Sequence, residues 1–522
     1  MSLGAIVSRE PTADYAYDAL LRHNYFPMVK NRRDDLPPVF TTEALTIAIA
    51  DDLILNMATH RRREGFDQVA YRANRFDNTI RRMDIPHPLP YARFCKCIHT
   101  NWTKFAFVYQ STTSQIKPKR HDGRLVVMNN YDSGRIIIMD NEGFSAGVIR
   151  HLRLTTGRRY IARADVANCF PSIYSHAIPW ALVGLDHAKS HRENGEWFNE
   201  VDAHQRQMKR GETLGVPIGP ATSNIMADAI LCRVDEALLK QDYRFIRFID
   251  DYQCFTESKD RAEAFLRDLD LELDKYLLKL NRKKVGIHEL PIPNRDDWRL
   301  NLEFAIGRVD TISASRMSSI LDYAIGLQEK NKDSNVLKYC AVMLQRYVTQ
   351  TNASLYVNYL IQLSYHHSSI IPQITEALMA FDVSIDQEVF DGLLFRHLEF
   401  RRSDAICWLL LIASVCNLAI SQPIAQRIVD SGDVMAMCLL LAMNQHVNLI
   451  DQYLLALPTT TSYELDQNWL LIHERCSQSP TVEQHFRAYS GETGLTYLRQ
   501  RGVFFLDRSK LQAANRATAF PI

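Results

Sequence analysis

The segment Phe248-Ile-Asp-Asp-Tyr252 sets two adjacent carboxylates, Asp250 and Asp251, between Tyr243, Phe245 and Ile246 on one side and Tyr252, Cys254 and Phe255 on the other. That pattern predicts a β-hairpin with the acidic pair at its tip. Adjacent carboxylates at a tight turn repel each other and gain nothing from packing. A cation makes the arrangement reasonable, and hard oxygen ligands favour Mg2+, or Mn2+. Taken alone, the pair also reads as a solvated turn that uses Asp for its backbone preference. A further acidic position changes the balance: Tyr160-Ile-Ala-Arg-Ala-Asp165 reads as a strand ending on an aspartate. Laid beside the hairpin, this strand brings Asp165 and Asp250 to one point. Two metal ions about 3.5–4 Å apart would there activate a 3′ hydroxyl and stabilise a leaving pyrophosphate. Phosphoryl transfer asks little more of a protein than this positioning and charge neutralisation.

The elements that must hold these residues follow from periodicity. Residues 158–300 alternate strand and helix, with a strand at 160–165, helical stretches to about 240 and two strands near 243–255. A helix then starts with Ser258 as N-cap and aligns Phe265, Leu269, Leu273, Tyr276 and Leu280 on one face. Short strands at 285–290 and near 302–306 are expected to close this unit. The first 90 residues read as helices with proline-punctuated links. Residues 124–128 and 135–139 read as two strands around the turn Asn129-Asn-Tyr-Asp-Ser-Gly134. After about residue 309 helix follows helix: 337–348, 355–363, 371–381, 406–420, 434–443, 447–457 and 465–476 are short apolar segments with polar links. This rhythm suits an irregular solenoid of helical pairs, with a single helical bundle as the alternative.

Composition is that of a globular chain, with 46% hydrophobic and 23% charged residues. The longest apolar run, 407–420, is too short for a bilayer and predicts a buried helix, so no membrane partner is expected. Nothing near Met1 resembles a signal peptide, and the ten cysteines lack paired metal-ligand spacing, which points to reduced core cysteines and a cytoplasmic location. Residues 1–300 hold 44 basic against 39 acidic residues, the remainder 17 against 21. The positive excess lies with the motifs and permits a nucleic-acid groove without demonstrating one.

Four motifs now stand in order: Asp165-x4-Phe170, Gly215-Val-Pro-Ile-Gly219 with Ser223-Asn224, Phe248-Ile-Asp-Asp, and Leu280-Asn-Arg-Lys-Lys284. Together they resemble motifs A to D of the reverse-transcriptase palm, over roughly residues 115–300. The resemblance implies an α+β fold: reverse-transcriptase-like fingers and palm, an antiparallel sheet with helices, followed by an all-α helical-repeat (HEAT-like) C-terminal domain. The implied division is 1–157 for N-terminal helices and fingers, 158–308 for the palm and 309–522 for the helical repeats. It implies metal binding by Asp165, Asp250 and Asp251, and a steric gate at Phe170 that rejects a ribose 2′ hydroxyl. Gly215 and Gly219 would admit the incoming nucleotide, and Lys284 would stand near the triphosphate as a general acid. Arg124 and Arg135, with Lys119 and Arg120 behind them, are the implied fingers cations.

The match departs from the family at Ile218, where a glutamine usually helps position the template–nucleotide pair. With Tyr174, His176 and Trp180 following motif A and a long helical tail, the chain resembles the abortive-infection (Abi) reverse transcriptases of the unknown-group, or defence-associated, bacterial class. That resemblance implies dNTP substrates, homo-oligomers, and template-independent synthesis of single-stranded DNA covalently attached to a tyrosine of the protein. Tyr15, Tyr17 and Tyr25, in an N-terminal stretch expected to be mobile, are the candidate primers among 22 tyrosines. Two alternatives stand beside this expectation: a templated enzyme copying a bound non-coding RNA, and a catalytically inactive scaffold for partner binding.

Overall fold

The computed structural model describes residues 11–27, 36–60, 62–76, 79–114, 127–128, 134–137, 140–141, 144–293, 295–460 and 462–511. Its strands are β1 (Gln68–Phe76), β2 (Thr79–Pro86), β3 (Val127–Met128), β4 (Asp140–Asn141), β5 (Tyr160–Asp165), β6 (Phe245–Phe248), β7 (Asp251–Thr256) and β8 (Gly286–Glu289). Three small antiparallel sheets result: β1-β2, β3-β4, and a four-stranded sheet in the order β6-β7-β5-β8. Among the described residues everything else that is regular is helical.

The four-stranded sheet follows from alternation. In β5, Ala162 and Ala164 face the main core, while Ile161 faces the other way and packs with Ile246 and Phe255. The two alanines let the helix Lys259–Asp274 lie close against β5. That helix starts as expected, with Ser258 Oγ accepting from Arg261 N at 3.2 Å, and buries Phe265, Leu269 and Leu273. It ends before Tyr276 and Leu280, which are half-buried in the following turns.

Four expectations need correction. The first 90 residues are not all helical: β1 and β2 form a long hairpin that buries Val69, Tyr71, Ala73, Met83 and Ile85. Residues 302–306 are no strand but the end of the helix Asp297–Ile306, where Trp298, Leu302 and Ile306 recur at the helical interval of four. Of the strands expected at 124–128 and 135–139, residues 127–128 pair with 140–141 instead. Residues 136 and 137 give their hydrogen bonds to the buried Asn24 side chain: Ile136 N donates to Asn24 Oδ1 at 2.8 Å and Asn24 Nδ2 donates to Ile137 O at 2.9 Å. Finally, the expected helix 465–476 is two helices, Ser462–Gln467 and Trp469–Cys476. Asn468 breaks them, with Nδ2 donating to Glu464 O at 2.8 Å and Oδ1 accepting from Tyr453 at 2.9 Å.

Beyond residue 309 the chain is helical throughout its described length, in short helices from Ala314–Lys330 to Leu495–Gln500. The apolar run at 407–420 belongs to the buried helix Ser403–Cys416. Among the described residues no helix is long and apolar enough to cross a membrane. All ten cysteines are free thiols, and nine are buried.

This helical tail closes back onto the N-terminal part. Phe40 bridges Leu506, Thr41 N donates to Phe505 O at 2.9 Å and Asp507 N donates to Val39 O at 2.7 Å. Arg62 grips Asp466 with two hydrogen bonds of 2.8 Å. Trp469 Nε1 donates to Ile85 O, and Asn74 N donates to Asp404 Oδ2. The β1-β2 hairpin is therefore buttressed by the tail, and one core runs from Ala16 to Leu511.

Candidate active site

The strand register brings the carboxylates together. Asp165 ends β5 and lies directly opposite Asp251, the first residue of β7. Asp250 occupies the turn between β6 and β7, and its carbonyl accepts from Val166 N at 3.2 Å. The turn is forced: Ile249 has φ +59°, a left-handed conformation unfavourable for a β-branched side chain. Beyond Asp165 the chain is pinned by a bridge from Val166 to Leu280 and by Ala167 N donating to Lys279 O at 2.8 Å. That contact places the 281–284 turn beside Asp165. Lys284 Nζ lies 2.7 Å from Asp165 Oδ2, Asn281 Nδ2 donates to Oδ1 at 3.1 Å, and Asn281 N donates to the Asp165 carbonyl at 2.8 Å.

Electrostatics separate the three acids. Burial alone would raise Asp165, but the hydrogen bonds from Lys284, Asn281 and Asp251 outweigh it and hold its carboxyl below the usual range. Asp250 is raised by desolvation and then by the charge of Asp165. Asp251 opens onto the cleft yet is still partly desolvated. That desolvation, the Asp250 charge and its hydrogen bond to Asp165 push it up to about 7. The two carboxyls, hydrogen-bonded to each other, are therefore shifted in opposite directions. Three neighbouring carboxylates, with Lys284 as the cation paired directly to Asp165, suit hard divalent cations by donor chemistry. Among the described residues no three acidic, His or Cys side chains form a ready-made metal cage, and the Lys284 ammonium is paired with Asp165.

A cleft of about 750 Å3 opens in front of Asp165, Asp251 and Lys284. Arg163, two residues before Asp165 on the same face of β5, lines it together with Arg150, Arg295 and Arg299.

Residues 108–304, which contain all of these carboxylates, match the family model described as Reverse transcriptase (RNA-dependent DNA polymerase). They form a reverse transcriptase domain. Proteins of this domain transfer nucleotidyl groups, in general with divalent metals. No curated protein matches the chain. Among solved structures it resembles apo telomerase from Candida tropicalis, with 12% identity over 82% of this chain and 75% of that one and a TM-score of 0.31. It also resembles telomerase from Candida albicans in complex with the TWJ fragment of telomeric RNA, with 11% identity over 70% and 67% and a TM-score of 0.27.

Within the reverse transcriptase domain, Phe170 lies half-buried in the helical turn Cys169–Ser172, five residues from Asp165. The loop expected to carry motif B packs on that turn: Val216 N donates to Phe170 O at 2.9 Å and Gly215 N to Ile173 O at 2.8 Å. Gly215 has φ +81°, and a Cβ there would meet Pro171 O at 2.9 Å, so only glycine fits. Gly219 has φ +138° and packs on Pro27 and the Asp84 carbonyl of β2. Ile218 is half-buried, with its carbonyl accepting from Asp84 N at 2.9 Å. Tyr174 backs the same loop through a bridge to Leu214 and meets His176 and Trp180 edge-on, while His176 Nδ1 contacts Asp202 at 2.9 Å.

The other expected residues are dispersed. Arg124, Lys119 and Arg120 lie outside the described residues. Arg135 belongs to the 134–137 segment, and its carbonyl accepts from Tyr15 at 2.9 Å. The expected mobile N-terminal stretch contains the helix Ala13–Arg22, capped by Thr12. Tyr17 and Tyr25 are fully buried, their hydroxyls donating to Asp51 Oδ1 at 2.7 Å and to Pro86 O at 2.5 Å. Tyr15 is half-buried.

Two site residues escaped the sequence reading. Arg81 of β2 acts on the Asp250 carboxylate from a hairpin that was expected to be helical. Arg247 lies fully buried behind the aspartate turn. The alternation Val69, Tyr71, Ala73 was the available signal for the hairpin.

Proposed function

We propose that this chain is a DNA polymerase of abortive infection against phage, joining dNTPs without a template from a tyrosine hydroxyl of its own. The observation that carries the polymerase reading is the register of Asp165 opposite Asp251, with Asp250 in the adjoining turn. Asp165, Asp250 and Asp251 would hold Mg2+, or Mn2+. The bound ions would lower the charge barrier to attack by a hydroxyl and departure of pyrophosphate. Lys284, released from Asp165, would donate a proton to the leaving group. Phe170 would exclude a 2′ hydroxyl and Gly219 would let the backbone approach the nucleotide. Arg81, with Arg124 and Arg135, would grip the triphosphate.

Independence from a template is supported by Ile218, whose apolar side chain offers no hydrogen bond to a templating pair. Of the three candidate primers, Tyr15 has the most surface access. The tail would serve as a HEAT-like scaffold for homo-oligomers, and the product would be protein-linked single-stranded DNA. Arginines along the cleft also suit the second reading, templated copying of a bound RNA. The intact carboxylate set argues against an inactive scaffold.

The deciding experiment incubates the purified chain with dNTPs and Mg2+ or Mn2+, without nucleic acid, followed by a denaturing gel. Product that stays with the protein and is freed by proteinase is expected. Free product that requires added RNA would establish the second reading. No incorporation under either condition, or incorporation undiminished by Asp250→Asn, would overturn both.

A further inference from the structure

Arg247 is wholly buried, and each of its five N–H groups has an acceptor. Nε donates to Asp235 Oδ2 at 2.8 Å, and Nη1 donates to Asp228 Oδ1 at 3.1 Å and to Ile249 O at 2.7 Å. Nη2 donates to Thr113 O at 2.9 Å and lies 3.8 Å from Cys232 Sγ. Asp228 and Asp235 are themselves buried, seven residues apart on one face of the helix Ala221–Lys240. Their other oxygens accept from Ser114 Oγ at 3.0 Å and Tyr252 Oη at 2.8 Å.

A buried ionic cluster of this kind is a poor source of stability, because the desolvation of three charges offsets most of their attraction. What it supplies is a single geometry. Two of its contacts explain why that geometry matters here. The Ile249 carbonyl belongs to the left-handed residue that turns the chain into Asp250. The two aspartates belong to the helix that follows directly on the Gly215–Gly219 loop. A lysine in place of Arg247 has three donors and no fork, so it cannot bind both aspartates and the turn at once.

We propose that Arg247, clamped by Asp228 and Asp235, is a positioning residue. It holds the strained Ile249 peptide so that Asp250 faces the metal site, and it ties that site to the helix behind the nucleotide loop. The proposal rests on the polymerase reading for its activity readout, but cation binding tests it independently.

Full-length Arg247→Lys, Ile249→Gly and the double variant are compared with the parent chain and Asp250→Asn. The measurements are Mn2+ binding, by the electron-spin resonance of free Mn2+, and dNTP incorporation, with thermal melting as a control for folding. Arg247→Lys is expected to weaken Mn2+ at least tenfold and to lower kcat about a hundredfold, with KM within threefold. Glycine accepts φ +59° without strain, so Ile249→Gly in that background is expected to restore at least tenfold of both losses. Unchanged Mn2+ affinity in Arg247→Lys, or a double variant worse than the single, would overturn the proposal. If Arg247→Lys does not fold, Asp235→Asn replaces it with an expected threefold weakening of Mn2+, and unchanged affinity again overturns the clamp. A parent chain that binds Mn2+ but makes no polymer defeats the polymerase reading alone, and the clamp is then judged on Mn2+. A parent chain that binds no Mn2+ defeats both.

Discussion

Lys284 Nζ sits 2.7 Å from Asp165 Oδ2, across 119 residues of chain, and occupies the oxygen that a divalent cation needs. On the proposed reading the lysine would compete with metal in the free protein and become available for proton transfer once metal binds. Lys284→Met is expected to lower the Mn2+ concentration needed for half-maximal binding while reducing kcat about a hundredfold. A variant that keeps full kcat would remove the general-acid role. One that binds Mn2+ more weakly would remove the competition.

Burial and the charge of Asp165 both disfavour ionisation of Asp250. Asp250→Asn is thus expected to melt roughly 1–3 °C higher than the parent chain in the presence of a chelator. It should also lose both incorporation and any Mn2+-induced rise in melting temperature. A lower melting temperature in chelator would mean that Asp250 is already neutralised by the protein.

Phe170 stands five residues past Asp165, with the Val216 amide fixed on its carbonyl. Phe170→Ala is expected to raise the ratio of ribonucleotide to deoxynucleotide incorporation about tenfold or more. An unchanged ratio removes the gate.

Arg81 on the β1-β2 hairpin favours the ionised form of Asp250. Arg81→Ala is expected to raise the KM for dNTPs about tenfold, the worth of one charge-assisted hydrogen bond, with kcat within threefold. A fall in kcat at constant KM would assign Arg81 to the carboxylates rather than to the triphosphate.

Stability should fall with pH through Glu474. This buried carboxyl accepts from Phe505 N at 2.7 Å, and burial pushes it up to about 7 from an ordinary 4.5. The folded state binds its proton more tightly than the unfolded chain does. Its stabilising contribution is complete below about pH 4.5 and is lost as pH rises through 7. Glu474→Gln mimics the protonated form, so its stability relative to the parent chain should improve by up to about 3 kcal/mol between pH 5 and pH 8. Denaturant midpoints at the two pH values measure this, and a constant difference would refute it.

The sequence made the palm strands legible because their determinants are local. The alternation around Asp165 and the apolar flanks of Asp250-Asp251 need only ten residues each, and β5 spans Tyr160–Asp165 as read. The β1-β2 hairpin was not legible: Arg72, Arg75, Arg81 and Arg82 obscure its alternation, and the surface that buries its other face belongs to helices more than 300 residues away. Arg247 was missed for a related reason. An arginine between Ile246 and Phe248 reads as a surface residue until its partners are known. Asp228, inside the otherwise apolar run 225–232, and Asp235 two turns further on were the visible sign that a buried cation was needed. The Lys284–Asp165 pair was approached from the resemblance but not from the spacing, since no local pattern links positions 119 residues apart.

The bridge between Phe40 and Leu506 has a temporal side. Val39 and Thr41 pair with Asp507 and Phe505, so a ribosome must deliver the chain through residue 507 before these contacts can form. The hairpin carrying Arg81, pinned by Trp469 and Asp466 through its neighbours, waits for the same event. On the proposed reading, catalytic competence would wait until those residues have emerged. A chain that stops short of residue 505 would carry all three carboxylates while the hairpin bearing Arg81 still lacked its buttress.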